Sequence, residues 1–223
     1  MSEARVIRVT GKGQIKVRPD MMRITMELAG THRDYAETLR RSSQDTEQLY
    51  DILAGFGFAH GDLKTQDFSV DTEYEGYEER GVYKQRFIGY KYHHRLKVEF
   101  PSDNERLGKV LYALAHCSVA PEFRLSYTVK DREAAKNTLL GRAVLDAKAK
   151  AAVLAVAADV KLGAIQSIDY SWGEVDFEFQ PMNRSLKMDE LMDTRSVGAS
   201  YDLDIEPDDI EVSDTVTVVW TIE

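Results

Sequence analysis

The chain has 223 residues, of which 43% are hydrophobic and 30% charged, a composition that excludes disordered, collagen-like and low-complexity proteins. The formal net charge of −9 opposes nucleic-acid binding, which depends on basic patches that contact phosphate. The longest uninterrupted apolar run, Ala151–Ala158, is far shorter than the roughly 20 residues that span a bilayer, and the first residues carry no secretory signal. We therefore expect a cytoplasmic protein with no membrane span.

Two alternating segments open the chain. Residues 5–17 are rich in Val and Ile and are interrupted by Gly11-Lys12-Gly13, which predicts a bulge or a close approach of another backbone. Met22–Leu28 alternates strictly between apolar and polar positions, the pattern of a half-buried strand. With Pro19-Asp20 as the turn between them, the two segments are predicted to form a hairpin.

Three later segments have the apolar periodicity of helices, and each follows a capping residue. The first begins after Asp34 and ends at about Leu53, the second follows Ser102-Asp103, and the third follows Asp131 and ends at Ala158. Alanines in the third helix imply that another surface approaches it closely, either a sheet or a second subunit. Its predicted core positions step by four and three residues: Leu140, Val144, Ala147, Ala151, Leu154 and Ala158.

Alternation predicts five further strands: Lys64–Tyr74, Ile88–Phe100, Phe123–Val129, Ile168–Trp172 and Val216–Ile222. Residues 73–84 are polar, acidic and contain glycine, so they predict a loop. Residues 173–211 are predicted to be irregular, with one short helix near Leu186–Met192.

The helices are too few to cover both faces of a doubly wound sheet, so the sequence predicts an α+β fold. We expect two-layer antiparallel sheets, packed by a set of shorter helices and by one long helix in the C-terminal half. Two domains are predicted. Residues 1–82 and 205–223 form a ββαβ domain completed by the last strand, so that the chain ends pair in one sheet. Residues 83–204 form a βαβαβ domain with an irregular acidic segment.

No catalytic, cofactor-binding or metal-ligating residues can be assigned from motifs, and no cofactor is expected. His93 and His94 are adjacent on a strand and point to opposite faces, and His94 is expected to be a hydrogen-bonded core histidine rather than a ligand. His116 and Cys117 do not face each other on a helix, so a base–nucleophile pair is not expected. Cys117 is the only cysteine, which excludes an intrachain disulfide, and it is expected to be a small buried hydrophobe.

The net negative charge is concentrated in the segment Lys187–Asp214. A solvated loop is the simpler interpretation, and a loop that binds cations or a partner is the alternative. Within it, Asp202, Asp204 and Glu206 have the spacing of a calcium loop, but Pro207 stands where that motif requires glycine.

Five tyrosines surround the predicted loop 73–84: Tyr74, Tyr77, Tyr83, Tyr90 and Tyr92. Ordinary strand packing explains them most simply. Contact with another protein is the alternative, because exposed aromatic residues are common at interfaces. The loop 73–84 and the acidic segment 187–214 are therefore the regions where a subunit contact is expected.

The order and spacing of several short motifs resemble the SIMPL-domain family, which includes periplasmic immunogenic proteins and many bacterial proteins of unknown function. The motifs lie in Val9–Asp20, Thr65–Tyr74, Gly89-Tyr90, Ala143–Gly163 and Val212–Val219. The chain departs from the family at Pro207-Asp208, where the family usually has Pro-Gly. The resemblance implies a two-part α+β architecture and a tendency to self-assemble, and it supplies no catalytic residues.

These observations favour a self-associating, non-enzymatic scaffold or binding protein whose partner is itself. The alternative is a hydrolase or small-ligand-binding protein whose site is assembled only in the fold, for example from Asp67, Asp71 and His93. A pocket with strongly perturbed pKa values would favour that alternative.

Overall fold

The computed structural model describes residues 5–170, 177–179 and 205–223. The helices are α1 Tyr35–Ala54, α2 Asn104–Ala115 and α3 Arg132–Ala157, with a 3₁₀ turn at His60–Asp62. The strands are β1 Val6–Val17, β2 Met21–His32, β3 Lys64–Glu79, β4 Val82–Pro101, β5 Glu122–Thr128, β6 Leu162–Asp169, β7 Glu178–Phe179 and β8 Ile210–Ile222. The strand pairs β1–β8, β6–β8, β2–β4 and β3–β4 are antiparallel, and the α+β prediction is confirmed.

The chain divides into two compact units. The terminal unit comprises residues 1–20, 128–179 and 208–223, and the central unit comprises residues 21–127 and 180–207. This division differs from the predicted one, in which residues 1–82 and 205–223 form one domain and residues 83–204 form the other. The physical reason is that β2 and β3 both pair with β4, which keeps the three strands in one unit.

The terminal unit contains a three-stranded sheet in the order β1-β8-β6. β1 pairs with β8 along its whole length, from Val6 opposite Thr221 to Val17 opposite Ile210. The predicted pairing of the two chain ends is therefore confirmed. α3 packs on one face of this sheet, chiefly against β1 and β8.

The predicted hairpin between the first two strands is wrong, because β1 pairs with β8 and β2 pairs with β4. The residues between β1 and β2 lack the Asn-Gly or Gly-Gly pair that makes a tight hairpin turn. Instead, the Asp20 N–H donates to the Thr128 carbonyl at 3.2 Å, and the Asp20 carboxylate accepts from the Lys130 N–H at 2.7 Å. These bonds tie the end of β1 to the start of the α3 region.

The backbones of β1 and α3 are in contact. A Cβ on Gly11 would collide with the carbonyl oxygen of Ala143, and a Cβ on Gly13 would collide with that of Leu139. The close approach predicted at Gly11-Lys12-Gly13 is thus confirmed, and the approaching backbone is that of α3.

The buried stripe of α3 steps by four residues and consists of Leu139, Ala143, Ala147, Ala151 and Ala155. Ala147 and Ala151 were predicted correctly, but Leu154 is 49% exposed. The predicted stripe is rotated because contact with glycines selects the smallest side chains rather than the leucines. Packing within the chain therefore explains the alanines.

The central unit has neighbouring strands in the order β3-β4-β2-β5, with α1 packed on β2 and β4. Asp34 and Asp103 cap α1 and α2 by accepting backbone N–H bonds. The largest fully buried side chains of this unit come from both layers: Met22, Ile24, Met26, Leu28, Leu49, Leu53, Tyr92, Leu96, Phe100, Leu107, Leu114 and Tyr127.

Two polar contacts join α1 to β4. The buried Tyr92 hydroxyl donates to the Asp45 carboxylate at 2.5 Å, and burial together with this bond raises the pKa of Tyr92. His94 lies between two hydroxyls, with Nδ1 3.0 Å from Thr46 Oγ1 and Nε2 2.8 Å from Thr65 Oγ1. His94 is hydrogen-bonded as predicted, but it is half-buried rather than part of the core.

A glycine pair tests the contact between β1 and α3. We expect Gly11→Ala to reduce the free energy of unfolding by about 3 kcal/mol, the upper range for overpacking, because the helix backbone cannot move aside. Gly141→Ala is the matched control, since a Cβ at this α3 position meets nothing within 4 Å. Gly141→Ala should increase the free energy of unfolding by about 1 kcal/mol, because alanine has a higher helix propensity than glycine. Urea denaturation followed by fluorescence reports on this unit, because Trp220 is buried in its core. If the denaturation curve of Gly11→Ala coincides with that of the wild type, the close packing of β1 on α3 is contradicted.

Acid should weaken the central unit through His94. Burial lowers the pKa of His94 below its ordinary value of 6.5, so the unfolded chain takes up the proton at a higher pH than the folded chain. The stability present above pH 6.5 is therefore lost as the pH falls, by about 1 kcal/mol or less down to pH 5.5. Urea denaturation by circular dichroism at pH 7.0 and 5.5 should show a smaller pH effect in His94→Gln than in wild type. The exposed control His60→Gln should keep the wild-type pH effect, and equal effects in both variants would refute the assignment.

Candidate interaction surface

The predicted loop at residues 73–84 is wrong, because β3 continues to Glu79 and β4 begins at Val82. Only Arg80 and Gly81 connect the strands, with φ values of 54° and 79°. Two successive residues with positive φ are typical of the type I′ turn that closes tight hairpins. The sequence signal is weak here because Arg replaces the usual Asn or Asp before the glycine.

This hairpin extends beyond the rest of its sheet. β2 ends at His32, which lies opposite Tyr90 of β4. Residues 74–87 continue as a two-stranded ribbon, with Tyr74 opposite Phe87 at its base, and we call this ribbon the arm. Within the part of the chain that the structure describes, no third strand pairs with the arm.

A close backbone approach marks the base of the arm. The register of β3 and β4 shifts between Glu73 and Tyr74, where the bulge gives β4 one extra residue. Next to it, a Cβ on Gly89 would collide with the carbonyl oxygen of His32. Glycine at position 89 therefore lets β4 pass the end of β2 and continue into the arm.

One face of the arm is aromatic. Directly opposed residues of paired strands share a face, so Tyr74 and Phe87 stand together, and the Tyr83 ring covers Gly76 on the same face. The rings form a continuous edge-to-face series. Ring centroids are 5.7 Å apart for Tyr74–Phe87, 5.3 Å for Phe87–Tyr90 and 5.3 Å for Tyr90–Tyr35.

These rings are largely open to solvent. Tyr83 is 73% exposed, and Tyr35, Tyr74 and Phe87 are about half-exposed. Since an aromatic side chain can bury 150–250 Å², the series offers roughly 500 Å² of uncovered surface. Contiguous apolar patches of this size on a soluble chain are often interaction sites.

The opposite face of the arm is ionic. Arg86 pairs with Glu75 at 2.5 Å, and Lys84 pairs with Glu79 at 2.6 Å. The Arg86 guanidinium also lies 6.0 Å from the centroid of the Tyr77 ring. The arm is therefore an amphipathic ribbon with one solvated face and one apolar face. Two-stranded ribbons are marginally stable alone in water, so the apolar face calls for a further layer.

The five predicted tyrosines separate into two groups. Tyr92 is buried and bonded to Asp45, so strand packing explains it, and Tyr90 joins the arm to α1 through its contact with Tyr35. Tyr74 and Tyr83 are exposed on the aromatic face, whereas Tyr77 lies on the ionic face. The sequence interpretation missed Tyr35 and Phe87. Alternation of Tyr83, Gln85 and Phe87 was the available signal.

The residues of the hydrolase alternative lie on neighbouring strands of the central unit. Asp71 accepts a bond from Ser69 at 3.0 Å, and His93 lies opposite Ser69, with its Nδ1 3.3 Å from Glu27 Oε1. Asp67 lies opposite Arg95. A cavity of about 210 Å³ is bounded by Glu27, Lys91, His93 and Glu122, and neither Asp67 nor Asp71 lines it. Glu27 is the partner of His93 that sequence reasoning missed.

His116 and Cys117 each contact the preceding turn of α2 rather than each other. His116 Nδ1 lies 2.8 Å from the Tyr112 carbonyl, and Cys117 Sγ donates to the Leu114 carbonyl at 3.1 Å. Cys117 is half-buried, not fully buried as expected.

Among the described residues, no three His, Cys, Asp or Glu side chains are grouped so as to hold a metal ion. Asp202, Asp204 and most of the acidic segment 187–214 lie outside the described residues, as does the predicted helix Leu186–Met192. No described helix combines the length and apolar character needed to cross a membrane.

Comparison with protein-family models gives a match over most of the chain. The model of the SIMPL family, described as a protein of unknown function (DUF541), matches residues 7–220. No curated protein matches the chain. The match covers nearly the whole length, including the segments that form the β1–β8 pair, the arm and α3, and it confirms the resemblance seen in the motifs. The chain therefore belongs to the SIMPL family.

Proposed function

We propose that the protein is a self-associating scaffold and that copies join through the aromatic face of the arm. The observation that carries the proposal is the unequal chemistry of the two faces of one ribbon. Ion pairs cover one face, while three rings that are about half-exposed or more, those of Tyr74, Tyr83 and Phe87, occupy the other. A ribbon built to stand alone in water would not place three of its four aromatic side chains on one open face.

A second copy of the same face is the occupant that the area supports. Two arms packed face to face would bury about 1,000 Å² in total, the lower limit for a specific interface. Glu78 lies opposite Tyr83 near the tip and is the charged side chain of the aromatic face. A two-fold, antiparallel arrangement of arms places the two Glu78 carboxylates at opposite ends, which avoids their repulsion.

The tilt of the rings argues against a flat ligand. Successive ring planes are inclined by 69° to 86°, so the series has no coplanar platform on which sugar rings or bases could stack. Edge-to-face rings are common where protein side chains interdigitate. The geometry thus favours a protein surface as the partner.

The role proposed here is architectural. The hydrolase or ligand-binding alternative stays a prediction, since Asp67, Asp71 and His93 have other side chains as their neighbours or partners and do not line one cavity together.

Removal of two rings should weaken the association between arms. We expect Tyr83→Ser combined with Phe87→Ser to weaken association at least about 100-fold, because each lost ring contact contributes roughly 1.5 kcal/mol. The matched control is Tyr77→Ser with Val82→Ser, which removes two exposed apolar side chains from the ionic face and should leave association unchanged. Analytical ultracentrifugation at micromolar concentration measures the effect, and circular dichroism verifies that each variant is folded.

Salt provides a second readout on the wild type. The net charge of −9 opposes assembly at low ionic strength, so moderate salt should strengthen association. A wild-type chain that sediments as a 25.3 kDa monomer in both low and moderate salt would refute the proposed function. If the aromatic-face and ionic-face variants weaken the association equally, the proposed role of the arm is refuted.

A further inference from the structure

The outer face of α3, opposite its buried stripe, is also apolar. Leu145, Ala149, Ala152 and Val156 follow one another at steps of four, three and four residues, with Val153 beside them. Leu145, Val153 and Val156 are 66–80% exposed. A helix that is apolar on two opposite sides is typical of a helix covered on both sides, yet the sheet of the terminal unit covers only one.

The sheet beside α3 is also incompletely covered. Ile165 lies opposite Trp220 and Ile168 lies opposite Val218, and both partners pack against the alanine stripe of α3. The two isoleucines therefore stand on the face that α3 covers. They are nevertheless half-exposed, because α3 lies over β1 and β8 rather than over β6. A strip of apolar sheet is left open next to the helix.

We propose that α3 of a second copy packs antiparallel on this surface, outer face against outer face, and extends over β6. The spacing of four, three and four residues is that of helix–helix seams. The order of sizes along the seam is large, small, small, large, so an antiparallel pair sets Leu145 against the second copy's Val156 and the alanines against each other. Alanines at the crossing allow the helix axes to approach to about 8 Å.

The available area suits a second copy. Five exposed aliphatic side chains and two alanines offer on the order of 500 Å² per copy, so a two-fold interface buries about 1,000 Å². The seam contains no charged residue, which removes the main obstacle to pairing two copies of an acidic chain.

This inference extends the proposed self-association and uses a different surface from the arm. Two separate two-fold interfaces on one chain cannot both be satisfied in a simple dimer. The assembly then continues to a closed dihedral particle or to an open chain of copies. Disruption of either interface alone should leave a dimer held by the other.

Disulfide trapping tests the α3 pair directly. In a Cys117→Ser background, Ala152→Cys places one thiol per copy near the proposed two-fold axis, within the range of about 7 Å between Cα atoms that a disulfide requires. Ala157→Cys is the matched control, since it is an exposed alanine on the same helix about 100° away from the seam. Mild oxidation should give a covalent dimer with Ala152→Cys and little with Ala157→Cys. Adding Leu145→Lys and Val156→Lys should reduce the yield at least about 10-fold.

The same trap distinguishes the two proposals. Covalent dimer that persists in the Tyr83→Ser, Phe87→Ser background supports an α3 interface independent of the arm. Equal yields at positions 152 and 157, or no covalent dimer at either position, would overturn the α3 pair. In that case the proposed function would still stand if ultracentrifugation shows an oligomer that the Tyr83→Ser, Phe87→Ser variant dissociates. If a covalent dimer forms at position 152 and the Tyr83→Ser, Phe87→Ser variant stays fully assembled, the proposed role of the arm is overturned and the α3 pair is retained.

Discussion

The terminal unit depends on contact between the backbone of one strand and the backbone of one helix. Gly11 and Gly13 of β1 lie directly against the carbonyl groups of Ala143 and Leu139. The contact leaves no room for a side chain between sheet and helix, so the facing stripe of α3 is mostly alanine. It also brings α3 side chains to the outer edge of β1, where Asp146 accepts the Lys12 N–H at 2.7 Å and Arg142 donates to the Gln14 carbonyl at 2.8 Å. Backbone groups at that edge are thereby satisfied, which limits uncontrolled strand addition.

The same contact explains why the outer surface of α3 is unusual. An alanine stripe buries little side-chain area, so the stability of the unit comes from larger residues at its margins, such as Trp220, Val218 and Leu139. Leu145, Val153 and Val156, residue types that would form the core of an ordinary amphipathic helix, stand instead on the outside of α3. The arm likewise has apolar side chains on an exposed face, in its case the aromatic face of a strand pair.

Local patterns in the sequence predicted elements well and pairings less well. Asp34 and Asp131 marked helix starts correctly, and alternation located β2, β5 and β8. The pairing of β1 was half right. Its partner β8 was predicted from the need to complete a sheet, but the hairpin with β2 was expected because the two strands are adjacent in sequence. Adjacency is a weak guide when the connection lacks turn residues and the first strand has a helix to pack on.

The candidate surface was harder to predict than the fold. Residues 73–84 look like a loop because charged residues alternate with aromatic ones, and that alternation is also the pattern of an amphipathic ribbon. The turn at Arg80-Gly81 is the only local signal that distinguishes the two. The aromatic series includes Tyr35 from α1, which no strand pattern could have linked to the arm. The outer seam of α3 was concealed for a related reason, since a helix with two apolar sides does not reveal which of them faces its own sheet.

The terminal unit is assembled from chain segments that are far apart in sequence. β1 and β8 are about 190 residues apart in sequence, and the central unit lies between them. β1 is therefore synthesised long before its partner β8. By contrast, β2, β3 and β4 pair within about 80 residues of one another. From this topology, we expect the strands of the central unit to pair first and the non-local closing of the terminal unit to be the slower step. Gly11 and Gly13 also lower the β-propensity of β1, so we expect the unpaired strand to have little tendency to pair with other chains before β8 is in place.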